Sequence, residues 1–231
     1  MPQAIYAVVP AAGVGRRMQS DTPKQYLILN DKPVIEHTVT RLASISRIVN
    51  IVVVVAEHDS VWPQLEISKH SKLLTAPGGD ERCHSVLNGL KILDSASQDS
   101  WVLVHDAARP CVRPSDVQNM IDKLQTHDVG GILASPVGDT LKKSSDNQII
   151  EKTVDRDGMW RAFTPQMFRL GVLRRALEHA LEENQLVTDE AQAIESQGLK
   201  PVLVEGSADN IKITQPADLS LAALYLQQQG F

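Results

Sequence analysis

The amino-acid sequence predicts an α/β protein with a Rossmann-like, doubly wound, mostly parallel sheet and a protruding β-hairpin arm. Three observations carry this. Short apolar runs at Ile5–Val9, Ile51–Val55, Trp101–His105 and Gly131–Ser135 lack a polar alternate face, the pattern of strands covered on both sides. Helically spaced segments, among them 33–41, 81–93 and 114–125, alternate with these runs, as βαβ units require. Between residues 137 and 160 the alternation breaks, and a polar, charged stretch takes its place.

The chain has 231 residues, 42% of them hydrophobic, enough to build a core and fold alone. No internal repeat, low-complexity tract or linker divides it, so residues 1–231 are expected to form a single domain. A formal net charge of −5 argues against broad binding to nucleic acid, so any anion site must be local. No stretch approaches the roughly 18 apolar residues of a membrane span, and the N-terminus lacks a signal-peptide pattern. A cytosolic location without membrane attachment is the expectation. Cys83 and Cys111 lack metal-ligand spacing and read as structural residues of a reducing compartment.

In sheets of this type ligands gather beyond the carboxyl ends of the strands, so the loops after Val9, Thr75, His105 and Ser135 are where chemistry is sought. The first strand runs into Pro10-Ala11-Ala12-Gly13-Val14-Gly15-Arg16-Arg17-Met18, with Pro23-Lys24-Gln25-Tyr26 shortly after. Small residues let backbone amides approach a ligand and form an anion nest, and Arg17 and Lys24 supply charge. The dinucleotide fingerprint fails because position 18 is Met, and the Walker lysine–hydroxyl pair is absent. The remaining pattern suits a triphosphate attacked at its α-phosphorus, where negative charge builds.

The third strand ends at His105-Asp106-Ala107-Ala108-Arg109. His105 reads as a core residue, because an attacking phosphate is already anionic and needs no general base. Lys212 lies in an apolar-flanked segment, Ile211-Lys212-Ile213, expected to be a strand in which a cation is expensive to bury unless anions meet it. In the polar stretch, Ser144-Ser145-Asp146-Asn147 is a turn signal between 140–143 and 149–154. A lone two-stranded hairpin is marginal in water, so an arm of this length is expected to pack on something, most simply a second subunit.

The pattern Pro10-Ala11-Ala12-Gly13-x-Gly15-x-Arg17 with Pro23-Lys24-Gln25 resembles the signature of the 2-C-methyl-D-erythritol 4-phosphate cytidylyltransferases. Further matches run along nearly the whole chain: 78–86, 104–110, Asp139-Thr140, Thr153-Val154-Asp155-Arg156, Thr164-Pro165-Gln166, Thr188-Asp189-Glu190-Ala191 and 209–214. Their order and spacing make the resemblance specific. It implies a nucleotide-diphospho-sugar-transferase-like fold that transfers CMP from CTP to 2-C-methyl-D-erythritol 4-phosphate, releasing pyrophosphate, with magnesium or another divalent cation as cofactor.

The resemblance also implies residue roles. Arg17 and Lys24 would stabilise the transition state, while Arg156 and Lys212 would join them at the reacting phosphates. CTP would be held by Pro10, Ala11, Ala12, Gly13, Gly15, Gly79, Asp80, Ser85 and Asp106, and the second substrate by Asp106, Arg109, Thr140, Arg156 and Lys212. Asp106 would meet magnesium directly or through water. The arm, 137–160, would reach into the partner of a homodimer. Each residue has a plainer reading: Ser85 and Asp80 as helix cap and turn, Asp106–Arg109 as an internal ion pair, Arg156 as an exposed arginine. Gly138 departs from the family, which often carries a basic residue there, and because the chain ends at Phe231 the synthase domain fused to some relatives is not expected. The alternative substrate is another polyol phosphate, such as ribitol 5-phosphate. A nicotinamide-dependent oxidoreductase and a non-catalytic nucleotide-binding module are the readings from other classes.

Overall fold

The computed structural model describes residues 3–13, 18, 22–145 and 148–230. The strands are β1 (Ile5–Pro10), β2 (Ile28–Leu29), β3 (Lys32–Pro33), β4 (Ile48–Val55), β5 (Leu73–Pro77), β6 (Trp101–Val104), β7 (Gly130–Pro136), β8 (Leu141–Ser144), β9 (Ile150–Val154), β10 (Trp160–Arg169) and β11 (Val202–Glu205). The helices are α1 (Val34–Ala43), α2 (Arg82–Lys91), α3 (Pro114–Leu124), α4 (Leu170–Glu182), α5 (Glu190–Ser196) and α6 (Ala217–Gln228).

Seven strands form the central sheet in the order β11-β7-β10-β6-β1-β4-β5. The β6-β1-β4-β5 half is parallel, as the apolar runs imply. Alternate residues then serve opposite faces. Ala7, Val9, Ile51, Val53 and Leu103 join the core beneath α1 and α3, whereas Val8, Val52, Val54, Val102 and Val104 pack under α2 and α4. A smaller cluster carries α6 against Leu29, Val34 and Ala108. Full burial of such side chains contributes about 1.5–3 kcal/mol each.

The sheet also contains a strand that the apolar runs do not reveal. β10 lies between β6 and β7 and runs antiparallel to both. A proline argues against a central strand because it cannot donate to the ladder; here Pro165 falls inside the register shift between Ala162 and Gln166, where no ladder bond is required of it. The same strand meets the far end of the 137–160 segment. Trp160 opens β10, opposite Pro136, so the hairpin proper is the antiparallel pair β8–β9. Of its turn signal, Asp146 and Asn147 lie outside the described residues.

Candidate active site

The carboxyl ends of the parallel strands converge on one cleft of about 260 Å³. Backbone bonds register its loops. Ala11 N–H donates to Val54 O at 2.7 Å, Gly78 N–H to Val55 O at 2.7 Å, and His105 N–H to Val8 O at 2.9 Å. Pro10, Ala11, Ala12, Gly13 and Lys24 line the cleft together with Gly79, Asp80 and Ser85 and with Asp106 and Lys212. Gly15 and Arg17 lie outside the described residues.

The small residues have a geometric reason. A Cβ on Gly78 would fall 2.4 Å from that of Ala12, so the glycine-rich loop and the loop before α2 touch only because position 78 carries no side chain. Ser85 Oγ accepts from Gly79 N–H at 3.1 Å, and the α2 N-cap is Glu81. Ser85 is therefore not the helix cap; from within α2 it braces the loop that lines the cleft. Lys24 sits on a short 3-10 turn, Lys24–Tyr26, and its Nζ donates to Ile213 O at 3.1 Å. Gln25 donates to Ala11 O at 2.6 Å, and the Tyr26 hydroxyl to Asp59 at 2.6 Å. These bonds bring the lysine-bearing turn against the first loop.

Asp106 is the electrostatic centre. Its Oδ1 meets Arg82 Nε at 3.1 Å, and its Oδ2 meets Lys212 Nζ at 2.9 Å and Arg109 Nε at 3.4 Å. Burial works against ionising Asp106, but the charges of Arg82, Lys212 and Arg109 outweigh it and hold the carboxyl well below the usual carboxylate range. The internal Asp106–Arg109 pair is thus real, as part of a larger cluster. Lys212 corrects one expectation: residues 211–214 form no strand, and the anion that meets Lys212 is Asp106, from another loop.

A second cleft of about 180 Å³ opens across this cluster. Arg82, Asp106 and Lys212 line both clefts, and Arg109, Phe163, Thr164, Gln166, Thr188 and Asp189 line the second. A ring of buried hydrogen bonds ties its floor together. Arg109 Nη1 donates to Asn210 O at 2.7 Å, and Asn210 Nδ2 donates to Thr164 O at 2.8 Å. Thr164 Oγ1 accepts from Asp106 N–H at 3.0 Å and stands 3.0 Å from His105 Nδ1, while His105 Nε2 is 3.2 Å from Arg109 O. Arg109 O can only accept, so His105 Nε2 donates to it, and in the neutral ring that burial favours Nδ1 accepts from the Thr164 hydroxyl. Burial lowers its pKa to about 4.

The structure does not bring every expected residue together. Thr140 and Arg156 are exposed on the arm side and line neither cleft of their own chain; Arg156 donates to Gly138 O. At Asp106 both carboxylate oxygens pair with cations, and among the described residues no group of three His, Cys, Asp or Glu could hold a metal ion by itself. Conversely, Arg82 and Glu190 sit at the centre without having been singled out. Both lie within matched segments, yet an acidic residue in a helix's first turn ordinarily reads as a solvated dipole partner, and no local pattern announces that Glu190 is 1% exposed.

The profile of 2-C-methyl-D-erythritol 4-phosphate cytidylyltransferases matches residues 5–228. Relatives bearing that name include proteins from Vibrio parahaemolyticus, 51% identical with 96% of this chain and 95% of the relative covered, and Aliivibrio fischeri, 48% identical with 98% and 95% covered. A crystal structure of a 4-diphosphocytidyl-2C-methyl-D-erythritol synthase superposes with a TM-score of 0.86 at 35% identity, covering 98% of this chain and 100% of that one. The Francisella tularensis 2-C-methyl-D-erythritol 4-phosphate cytidylyltransferase superposes with a TM-score of 0.84 at 37% identity, covering 96% and 99%. With two clefts meeting at one cation cluster, and this likeness over nearly its whole length, the chain belongs to the 2-C-methyl-D-erythritol 4-phosphate cytidylyltransferase family.

Proposed function

We propose that the larger cleft holds CTP and the smaller one 2-C-methyl-D-erythritol 4-phosphate, so that the cluster at their boundary lies where phosphate meets phosphate. The chain is a cytidylyltransferase of isoprenoid precursor biosynthesis: CMP passes from CTP to the polyol phosphate, and pyrophosphate leaves. In this reading a phosphate oxygen attacks the α-phosphorus in line, the bond to the pyrophosphate oxygen breaks, and no proton needs removal. The protein contributes positioning and fixed positive charge. The observation that carries the reading is that Arg82, Asp106 and Lys212 line both clefts.

The roles of the described residues follow from position, and that of Arg17 from the sequence resemblance. Lys24, with Arg17 from the glycine-rich loop, stabilises charge at the α-phosphate, while Gly79, Asp80 and Ser85 face the cytosine. Arg109 and Lys212 take the incoming phosphate, which displaces Asp106 as their anion. Magnesium arrives with the triphosphate as part of the substrate, since magnesium favours phosphates and water. Thr140 and Arg156 act in the partner's site, with 1–231 one domain and the arm, 137–160, as dimer contact. A cytosolic setting belongs to the same reading; no described helix is long and apolar enough to cross a membrane.

Pyrophosphate release tests this. CTP with 2-C-methyl-D-erythritol 4-phosphate is expected to turn over, ribitol 5-phosphate poorly, and UTP about ten- to a hundred-fold more slowly than CTP, because mismatched polar groups cost about 1–3 kcal/mol each. Equal turnover of CTP and UTP would remove the cytosine assignment, and preference for ribitol 5-phosphate would change the second substrate.

A further inference from the structure

Glu190 is a buried charge that the mechanism above does not use. It opens α5, is 1% exposed, lines neither cleft, and has Arg82 as its ion-pair partner through two bonds, Nη1 to Oε1 at 2.6 Å and Nη2 to Oε2 at 3.1 Å. Arg82 presents its remaining edge to Asp106 and lines both clefts. The planar guanidinium fork is thereby fixed at both ends, since bidentate pairing sets orientation as well as charge. Burial raises the Glu190 carboxyl above the usual carboxylate range, while Arg82 opposes that rise. For Arg82, burial disfavours the charge but Glu190 and Asp106 outweigh it.

From this arrangement we infer that Glu190 is a positioning residue, which acts through Arg82 to hold one cation at the boundary of the two clefts for both substrates. α5 is itself anchored to the second cleft: Gln166 Oε1 accepts from Ala191 N–H at 2.8 Å and Gln166 Nε2 donates to Asp189 at 3.0 Å. Arg82 is consequently fixed by the first residue of a helix whose N-cap, Asp189, lines the polyol phosphate cleft. A phosphate drawing Arg82 from Asp106 leaves the Glu190 pair in place, so the cation turns toward the substrate without losing its support.

The inference rests on the two-cleft reading, and a double-mutant cycle separates the two. Glu190→Gln keeps the shape and removes the charge; Arg82→Gln removes the cation; the double variant buries no lone charge. The expected result is a fall in kcat/KM of about ten- to a hundred-fold for Glu190→Gln, the range for losing a charged hydrogen bond, with KM raised for both CTP and 2-C-methyl-D-erythritol 4-phosphate. The double variant should be no worse than Arg82→Gln alone, because the glutamate works only through the arginine. Glu190→Asp, which retains the charge but withdraws it, should show the same pattern at smaller amplitude and guards against a Glu190→Gln protein that does not fold. Additive losses, or unchanged KM values with activity merely following the folded fraction, would reduce Glu190 to a structural residue and overturn the inference. An active Arg82→Gln enzyme with ordinary KM values would instead count against the two-cleft reading.

Discussion

Asp106 and His105 are adjacent, buried and oppositely tuned. The carboxylate stays ionised because three cations surround it, whereas the imidazole stays neutral because burial disfavours its charged form, against the opposing pull of Asp106 and of its hydrogen bonds to Arg109 and Thr164. The histidine has a consequence for stability. In the unfolded chain it titrates near its ordinary 6.5, in the fold at about 4. Between these values the unfolded state binds a proton that the fold does not, so stability is lost as pH falls through this window and is unaffected above it, by an amount of order 3 kcal/mol. Urea unfolding of wild type and His105→Gln at pH 7.5 and 4.5 should show a shallower acid loss in the variant; parallel losses would contradict a neutral His105. At Lys24 the expected signature is kinetic. Lys24→Ala should lower kcat more than it raises the KM for CTP, since its contact strengthens as charge builds at the α-phosphate. A pure rise in KM would indicate uniform binding.

At the scale of elements, α2 links core and site, because its first turn carries Arg82 and Ser85 and its last turn rests on the sheet at Gly89. A Cβ there would fall 2.6 Å from Val8 Cγ1 and 2.8 Å from Val54 Cγ2, and both valines are fully buried. Gly89→Val should therefore destabilise by about 1–3 kcal/mol or more, seen as a lowered Tm, and should impair turnover at temperatures where the fold persists. The apolar runs made β1, β4, β6 and β7 legible, with α1 to α3 between them, because fully covered parallel strands and amphipathic helices leave a local signature. β10 left a misleading one, since Pro165 reads against a central strand until the register shift is seen. Lys212 was legible as a cation needing an anion, but the anion lies about a hundred residues away in sequence, and its segment is a loop. Arg82–Glu190 was hidden for the same reason: a partnership across 108 positions leaves no spacing to read. The glycine-rich loop and the Asp106 segment were legible because their chemistry is compressed into a few consecutive residues.

Across the whole molecule, charge and apolar surface are distributed unevenly. Three cations gather on one carboxylate in a chain of net charge −5, which makes the anion site local. The hairpin β8–β9 and its flanks expose Ile149 at 65%, Ile150 at 62%, Met159 at 43% and Trp160 at 37%. Apolar side chains on a thin hairpin favour a covering surface. Thr140 and Arg156 share this arm and stay clear of their own chain's clefts, which supports a composite site in a two-fold dimer. Mixing an Arg156→Ala subunit with a Lys24→Ala subunit, under conditions shown to exchange subunits, tests that claim most directly. Each variant alone should be nearly inactive, and the mixture should recover about a quarter of wild-type activity, because about half the dimers are mixed and each has one complete site of two. No recovery would mean that Lys24 and Arg156 serve the same chain's site, contrary to the composite arrangement.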